Sequence, residues 1–430
     1  MKKKIVWFRN DLRLHDNPCL HEAIAKSDQI LPVYVFDPRQ FASGKYGFPK
    51  TGSFRTKFLL ESVENLKKSL QKAGADLLVV RGKPEEILPE LAVQNQAGAI
   101  YFSKEVTPEE VEIEDALLKA LSKRNIDWKS IWSSTLIQPD ALPFPLNQMP
   151  TMFTKFRKAI ESDLQITEPL PSPKKIVVPT MQDWGTVPDL SDFGLPKPCS
   201  DKRNAFPYKG GEKSGIERVK EYLWEKDLLQ HYFETRNGLI GADYSTKLSA
   251  WLSTGCLSSR YVYAEVKRYE AERVENKSTY WLIFELLWRD FFHFTAAKHY
   301  NRFFAQNGYN NSPKREWDDN WEKFEKWKEG KTGEDFVDAN MRELKKTGFM
   351  SNRGRQNVAS YLINDLKVNW LMGAEYFESM LVDHDVCSNY GNWSYLAGIG
   401  ADPRENRVFN IQNQANEYDP KGEYRKLWLN

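Results

Sequence analysis

Gln29-Ile-Leu-Pro-Val-Tyr-Val-Phe36 is an apolar run rich in β-branched and aromatic residues, and it reads as a strand. Four similar runs flank it: Lys4 to Arg9, Asp76 to Arg81, Ala99 to Ser103 and Asp127 to Ser133. Between them lie helical patterns. Ser53 to Ala73 carries Phe54, Phe58, Leu59, Val63, Leu66 and Leu70, and Pro108 to Arg124 opens with proline and two glutamates, as helices do. Strands alternating with helices predict a doubly wound, parallel, five-stranded α/β sheet, whose ligands bind at the carboxyl ends of the strands. The first strand runs into Asn10-Asp-Leu-Arg-Leu-His-Asp-Asn-Pro18 without a GxGxxG, so the standard dinucleotide fingerprint is missing. Arg9, Asp11 and Arg13 read instead as a turn or a domain-contact ion network.

The chain is 430 residues long, beyond the size at which one core stops growing, so two domains are expected. Twelve of the 22 prolines fall between Pro139 and Pro207, which marks that stretch as a connector, with Thr151 to Ile160 a short helix inside it. From about Gly211 the pattern is helical: Glu212 to Asp227, Ser258 to Val274, Ser278 to Tyr300, Phe324 onward and Asn352 to Leu366. The expected division is an α/β domain over 1–134, a connector over 135–207 and an all-α domain over 208–430. A net charge of +2 does not mark a nucleic-acid binder, so any such function needs a local patch. Cys19, Cys199, Cys256 and Cys387 are too scattered for a zinc site or a disulfide framework. Lys2 to Lys4 lead into an apolar run that stops at Arg9, and no stretch reaches membrane-spanning length, so a soluble cytoplasmic protein is expected.

Ten of the 14 tryptophans lie at or after Trp224. Single indoles serve as core filler, but their accumulation suggests stacking on a flat ligand or on bases, or electron hopping between rings. Around them sits polar chemistry. Glu285, Trp288, Arg289 and Phe292 share one helix face, setting a carboxylate among rings, where it must meet Arg289 one turn on or hydrogen-bond a ligand. Asp243-Tyr-Ser-Thr-Lys-Leu-Ser249 places hydroxyls and a lysine before a helix start, a pattern that caps helices or binds a diphosphate. Asn352 to Arg355 open another helix, where N–H groups and the Arg353 and Arg355 guanidiniums favour a phosphate or a carboxylate, including Asp383 or Asp385. Asp383-His-Asp385 offers two hard oxygens, but no further acidic ligand follows at metal-site spacing, so no metal is assigned. The six histidines form no ligand pair around a glutamate, and no nucleophile elbow occurs.

Thr235-Arg-Asn-Gly-Leu-Ile-Gly-Ala-Asp-Tyr-Ser-Thr-Lys-Leu-Ser249, Met350-Ser-Asn-Arg-Gly-Arg-Gln-Asn-Val-Ala-Ser360 and Cys387-Ser-Asn-Tyr-Gly-Asn-Trp-Ser-Tyr395 resemble signatures of the photolyase and cryptochrome flavoproteins, most closely the DASH cryptochrome branch. The resemblance runs from Val6 to Pro420. It implies an α/β antenna domain joined to a helical domain that holds FAD. Tyr232, Ser245, Thr246, Lys247, Leu248 and Ser249 are then expected at the FAD phosphates and neighbouring groups, and Arg355 paired with Asp383 beside the isoalloxazine. Arg289, Asp385 and Asn389 are expected to contact the flavin, with Asn389 at its reactive ring nitrogen.

The resemblance further implies light-driven splitting of cyclobutane pyrimidine dimers, with the cofactor doing the hard step. Glu285 is expected to hydrogen-bond the dimer, Trp288 to stack on it and Asn352 to contact its base edges. Trp393, Trp370 and Trp317 match the chain of indoles that reduces oxidised flavin. Gln356 and Tyr395 stand where duplex-repair members carry a Met and a Trp, which points to single-stranded DNA as the partner. The expected antenna is 5,10-methenyltetrahydrofolate, with Glu109 or Glu110 as its acidic contact. The expected assembly is a monomer. A blue-light photoreceptor with little repair activity is the alternative, and a nucleotide-activating enzyme is disfavoured by the missing phosphate-binding loop.

Overall fold

The computed structural model describes residues 2–162, 165–310, 316–401 and 408–430. Five parallel strands, β1 (Lys3–Phe8), β2 (Gln29–Phe36), β3 (Leu78–Arg81), β4 (Ala97–Ser103) and β5 (Asp127–Ile131), lie in the order β3-β2-β1-β4-β5. Each matches a predicted run, with ends displaced by a residue or two. The order reverses between β1 and β4, so the loops after these two strands diverge and leave a crevice at their carboxyl ends. Alternating side chains explain the two-sided cover. Ile5, Trp7, Val33 and Val35 pack against Leu88, Leu117 and Leu121 of the helices Pro84–Gln94 and Pro108–Ser122. Val6, Phe8, Tyr34 and Phe36 face the other way, into a core shared with Trp251, Leu257 and Leu286 of the helical half.

That shared core is locked by buried charge. Arg13 is 2% exposed and donates to the carbonyls of Gly255 at 2.8 Å, Asp16 and Ser133. His15 Nδ1 lies 2.5 Å from Glu212, and Asp16 pairs with Arg260. The domain-contact reading therefore holds for Arg13, whereas Arg9 pairs within the α/β half, with Glu114 and the Ser103 carbonyl. Gly255 adopts φ +65°, and a Cβ there would stand 1.9 Å from the Asn10 carbonyl oxygen, so only glycine lets the two halves approach this closely.

After β5 the chain carries only short helices until Glu212, among them Phe153–Glu161. Asp290, fully buried, accepts from the N–H groups of Leu136 and Ile137 at 2.9 and 2.8 Å and so pins the start of this stretch to the helical half. Four helices build the site: α1 (Lys277–His299), α2 (Asn352–Ser360), α3 (Trp370–Met380) and α4 (Val386–Leu396). The helices expected over 212–227 and 352–366 end instead in π-helical turns, Glu221–Glu225 and Tyr361–Asp365. No helix among the described residues is long and apolar enough to cross a membrane.

Candidate functional site

Asp383 precedes α4 and is 6% exposed. Its carboxylate takes Nη2 of Arg355 at 2.9 Å to each oxygen and the Ser249 hydroxyl at 2.6 Å. The choice between the two arginines is thus resolved in favour of Arg355. Arg353 turns away, to Asn237 at 3.1 Å and Gln356 at 3.1 Å, with its guanidinium 4.4 Å from the Tyr418 ring centre. The start of α2 is capped by Ser351, which accepts from the Gly354 N–H at 3.0 Å, and Asn352 is exposed beside it.

The segment before Ser249 is held by Arg218, which the sequence did not single out. Its guanidinium donates to the carbonyls of Thr246, Ala242 and Ser245 at 3.0 to 3.2 Å. Lys247 follows with φ +60°, a conformation that costs a non-glycine residue energy and marks a constrained loop. Its side chain is buried, with Nζ 3.0 Å from the Tyr244 ring centre and no hydrogen-bond acceptor among the described residues. Burial pushes that amine well below the usual lysine range, with Glu343 pulling the other way. The expected hydroxyl cap does not form: the helix Ser249–Ser253 has buried Leu248, which carries no hydroxyl, at its N-cap position, and the Ser249 hydroxyl goes to Asp383.

On α1 Glu285 does not meet Arg289, one of the two alternatives its position offered. Arg289 instead satisfies the carbonyls of Ser134 and Leu252 and lies 3.4 Å from Asp385. Glu285 meets the Trp281 indole N–H, one turn back on the same helix, at 3.2 Å, and Arg236 at 2.8 Å, a partner that no local spacing could reveal. Burial raises the Glu285 carboxyl and Arg236 lowers it. Tyr232 is buried on this side, its phenol raised by burial and then by the Glu285 charge. One turn on, Trp288 stacks on Phe153 at 3.7 Å and meets the edge of Tyr395 at 5.8 Å, so the connector helix backs the aromatic wall.

Asp385 caps α4 through the Ser388 N–H at 2.7 Å. Burial alone would raise its carboxyl, but His293 at 3.1 Å, Arg289 and the Ser388 N–H hold it well below the usual range. His293, Asp385 and Cys387 bring three possible ligand atoms within 4.8 Å of one another. Burial keeps the Cys387 thiol protonated, and Arg289 occupies the same carboxylate, so the group suits an ion-pair cluster better than a divalent cation. Asn389 is 9% exposed, and its amide donates to the Ala374 carbonyl at 3.0 Å, fixing α4 against α3.

Trp393 lies across Gly373, where a Cβ would be 2.3 Å from the indole Cη2, and Gly373 is one turn beyond Trp370 on α3. The Asn369 N–H donates to the Asp318 carbonyl at 2.9 Å, which carries Trp317 alongside the start of the same helix. All three indoles therefore border α3. Sequence reading missed Trp327, whose ring lies 6.3 Å from Trp393.

Where the sheet meets the helical half, a cavity of about 510 Å³ opens at the carboxyl ends of the strands. Arg9, Glu109, Glu110, Arg289, Asp385 and Tyr390 are among its lining residues. Burial raises Glu110, and it raises nearby Glu105 to about 7.

The DNA photolyase family matches residues 4–174, and the FAD binding domain of DNA photolyase matches residues 281–430. A cryptochrome DASH of Gloeobacter violaceus is 52% identical over all of this chain and 85% of its own length. One from Xenopus laevis is 50% identical over 99% of this chain and 82% of its own. The solved Synechocystis cryptochrome superposes with a TM-score of 0.96 at 50% identity, covering all of this chain and 89% of that one. A class III photolyase from Agrobacterium tumefaciens gives 0.84 at 27% identity, over all of this chain and 86% of its own. With sheet, helical half and both family matches in agreement, the chain belongs to the cryptochrome DASH family of photolyase-related flavoproteins.

Proposed function

We propose that this protein is a blue-light-driven enzyme that splits cyclobutane pyrimidine dimers in single-stranded DNA. The observation that carries the reading is Glu285, a carboxylate held by Arg236 in a wall of rings that includes Trp281, within reach of the Trp288 and Tyr395 surface. Such a surface suits a flipped, flat lesion: the rings receive the bases, Glu285 hydrogen-bonds the dimer, and Asn352 and Gln356 meet its edges. Extruding the lesion costs unstacking energy, which is least in a single strand.

The helical domain fits FAD. The buried Lys247 side-chain nitrogen lacks an acceptor among the described residues that a diphosphate would supply, and Ser245, Thr246 and Ser249 add hydroxyls beside it, with Tyr232 and Leu248 completing the segment. Arg355 with Asp383, and Arg289 with Asp385, would hold the ring system, and Asn389 would orient it. When bound, reduced FAD supplies the light-driven electron that breaks the dimer. Trp393, Trp370 and Trp317 would carry electrons inward from the surface to restore the reduced form. The interdomain cavity is the proposed antenna site, for methenyltetrahydrofolate contacted by Glu109 or Glu110. A photolyase of Sulfolobus tokodaii, 28% identical, was solved with two FAD molecules, so a second flavin is the competing occupant.

Denaturing the purified protein and identifying what it releases tests both cofactors: FAD with a folate is expected, whereas a colourless protein contradicts the reading. Loss of dimers under light from single-stranded oligonucleotides is the expected activity. Flavin without any dimer loss would favour the light-sensing alternative.

A further inference from the structure

Tyr390 follows Asn389 on α4, and its ring lies 6.3 Å from that of Trp370, edge to face at 78°. Its phenol donates to Glu378 Oε2 at 2.8 Å. Glu378 sits near the end of α3 with a side chain 15% exposed, and both residues line the interdomain cavity. Trp370 is fully buried, its indole N–H held by the Gln306 carbonyl at 3.0 Å. A hydrogen-bonded phenol and carboxylate thus stand in ring contact with the middle indole of the route.

A phenol gives up an electron readily only if its proton leaves with it, because the phenol radical cation is a far stronger acid than the phenol. In water the solvent takes that proton. In a packed interior an acceptor must already be in place, and Glu378 is one. Burial raises its carboxyl above the ordinary range, ahead of the opposing pull of Arg55, which makes the carboxylate a stronger base.

We propose that Tyr390 is a proton-coupled electron donor to Trp370. One electron passes from Tyr390 to the Trp370 radical cation, and one proton passes along the existing hydrogen bond from Tyr390 to Glu378. The products are a neutral indole, a neutral tyrosyl radical and a protonated carboxyl. The step removes the Trp370 cation and the Glu378 anion together, and its cost is that Arg55 loses the Glu378 counter-charge. The oxidant is a photoexcited oxidised flavin acting through Trp393, so the proposal rests on the flavoprotein reading. It adds a branch that parks the oxidising equivalent beside the cavity instead of at Trp317.

Flash excitation of the flavin-loaded protein, followed by transient absorption and electron paramagnetic resonance, tests it. A tryptophan radical should convert into a tyrosyl radical, more slowly in deuterated buffer, and ring-deuterated tyrosine should narrow its resonance. Tyr390→Phe should abolish the tyrosyl signal and leave the tryptophan radical to recombine. Glu378→Gln, which keeps the phenol but offers no carboxylate base, should also abolish it. A wild-type protein without a tyrosyl radical, or a signal unchanged in Tyr390→Phe, overturns the proposal. If flavin is bound and Trp393→Phe blocks photoreduction, such a result overturns this step alone. A protein that binds no flavin overturns both.

Discussion

The carboxylate of Glu285 lies 2.8 Å from Arg236 and 3.2 Å from the Trp281 indole, on a face otherwise made of rings. Replacing it by glutamine keeps shape and one acceptor but removes the charge. Glu285→Gln should bind a dimer-bearing oligonucleotide as well as the parent and split the dimer roughly tenfold less efficiently, the worth of one hydrogen bond to a charged partner at about 1.5 kcal/mol. Titration and illumination of the same sample check both halves. Asp383 is placed differently, because its carboxylate organises two protein partners, Arg355 and Ser249. Asp383→Ala strands Arg355 and should lower stability by about 2 kcal/mol, less than the loss for a fully buried pair since Arg355 is 25% exposed. Urea unfolding measures that loss, and the variant should also retain less flavin through purification. A contact between Arg353 or Arg355 and Asp383 or Asp385 was legible in the sequence, since a guanidinium seeks a carboxylate, but the pairing of Arg355 with Asp383 came only from the family resemblance until the structure resolved it. The Arg236 partner of Glu285 was not legible, because chain-distant ion pairs leave no periodic trace.

At the scale of elements, the packing of α4 on α3 sets the proposed indole route. Gly373 permits it: an added Cβ would meet Trp393 at 2.3 Å and Leu362 at 2.6 Å. Gly373→Ala should cost about 1–3 kcal/mol through overpacking and displace the Trp393 ring, slowing flavin photoreduction while leaving repair by prereduced protein largely intact. Denaturant midpoints and flash kinetics together check this. Neither α3 nor α4 stood out as a helix in the sequence. Helices announce themselves by a polar face alternating with an apolar one, and α3 is buried on almost every side, while α4 spends its positions on Asn389, Gly391 and Trp393. The amphipathic helix Ser53–Lys72 was plain for the opposite reason, and the strand Gln29–Phe36, buried beyond its first residue, was plain from its β-branched and aromatic run. Residues committed to the site blur the pattern that would reveal their element.

Across the whole molecule, the sheet and the helical half share one core and a locked charge network, and the division into an α/β half and a helical half was readable from composition because prolines crowd the stretch between them. What composition could not show is how many carboxyls the assembled fold buries. Burial raises Glu343, Asp290 and Glu105 to about 7. A raised carboxyl stabilises the fold fully below its unfolded value, and that contribution is lost as pH climbs through the folded value. For Glu343, ordinarily near 4.5 and bonded to the Tyr424 hydroxyl at 2.5 Å, the loss runs between about pH 4.5 and 7. Glu343→Gln keeps the acceptor without titrating, so its melting temperature relative to the parent should be higher at about pH 8 than at about pH 5. The central claim is that these two halves assemble a light-driven repair site for single strands. Its most direct test is to illuminate the prereduced, flavin-loaded protein with a thymine-dimer oligonucleotide, single-stranded and as a duplex, and to count the dimers left. Light-dependent loss from the single strand, well ahead of the duplex, is the predicted result; dimers untouched in both would contradict it.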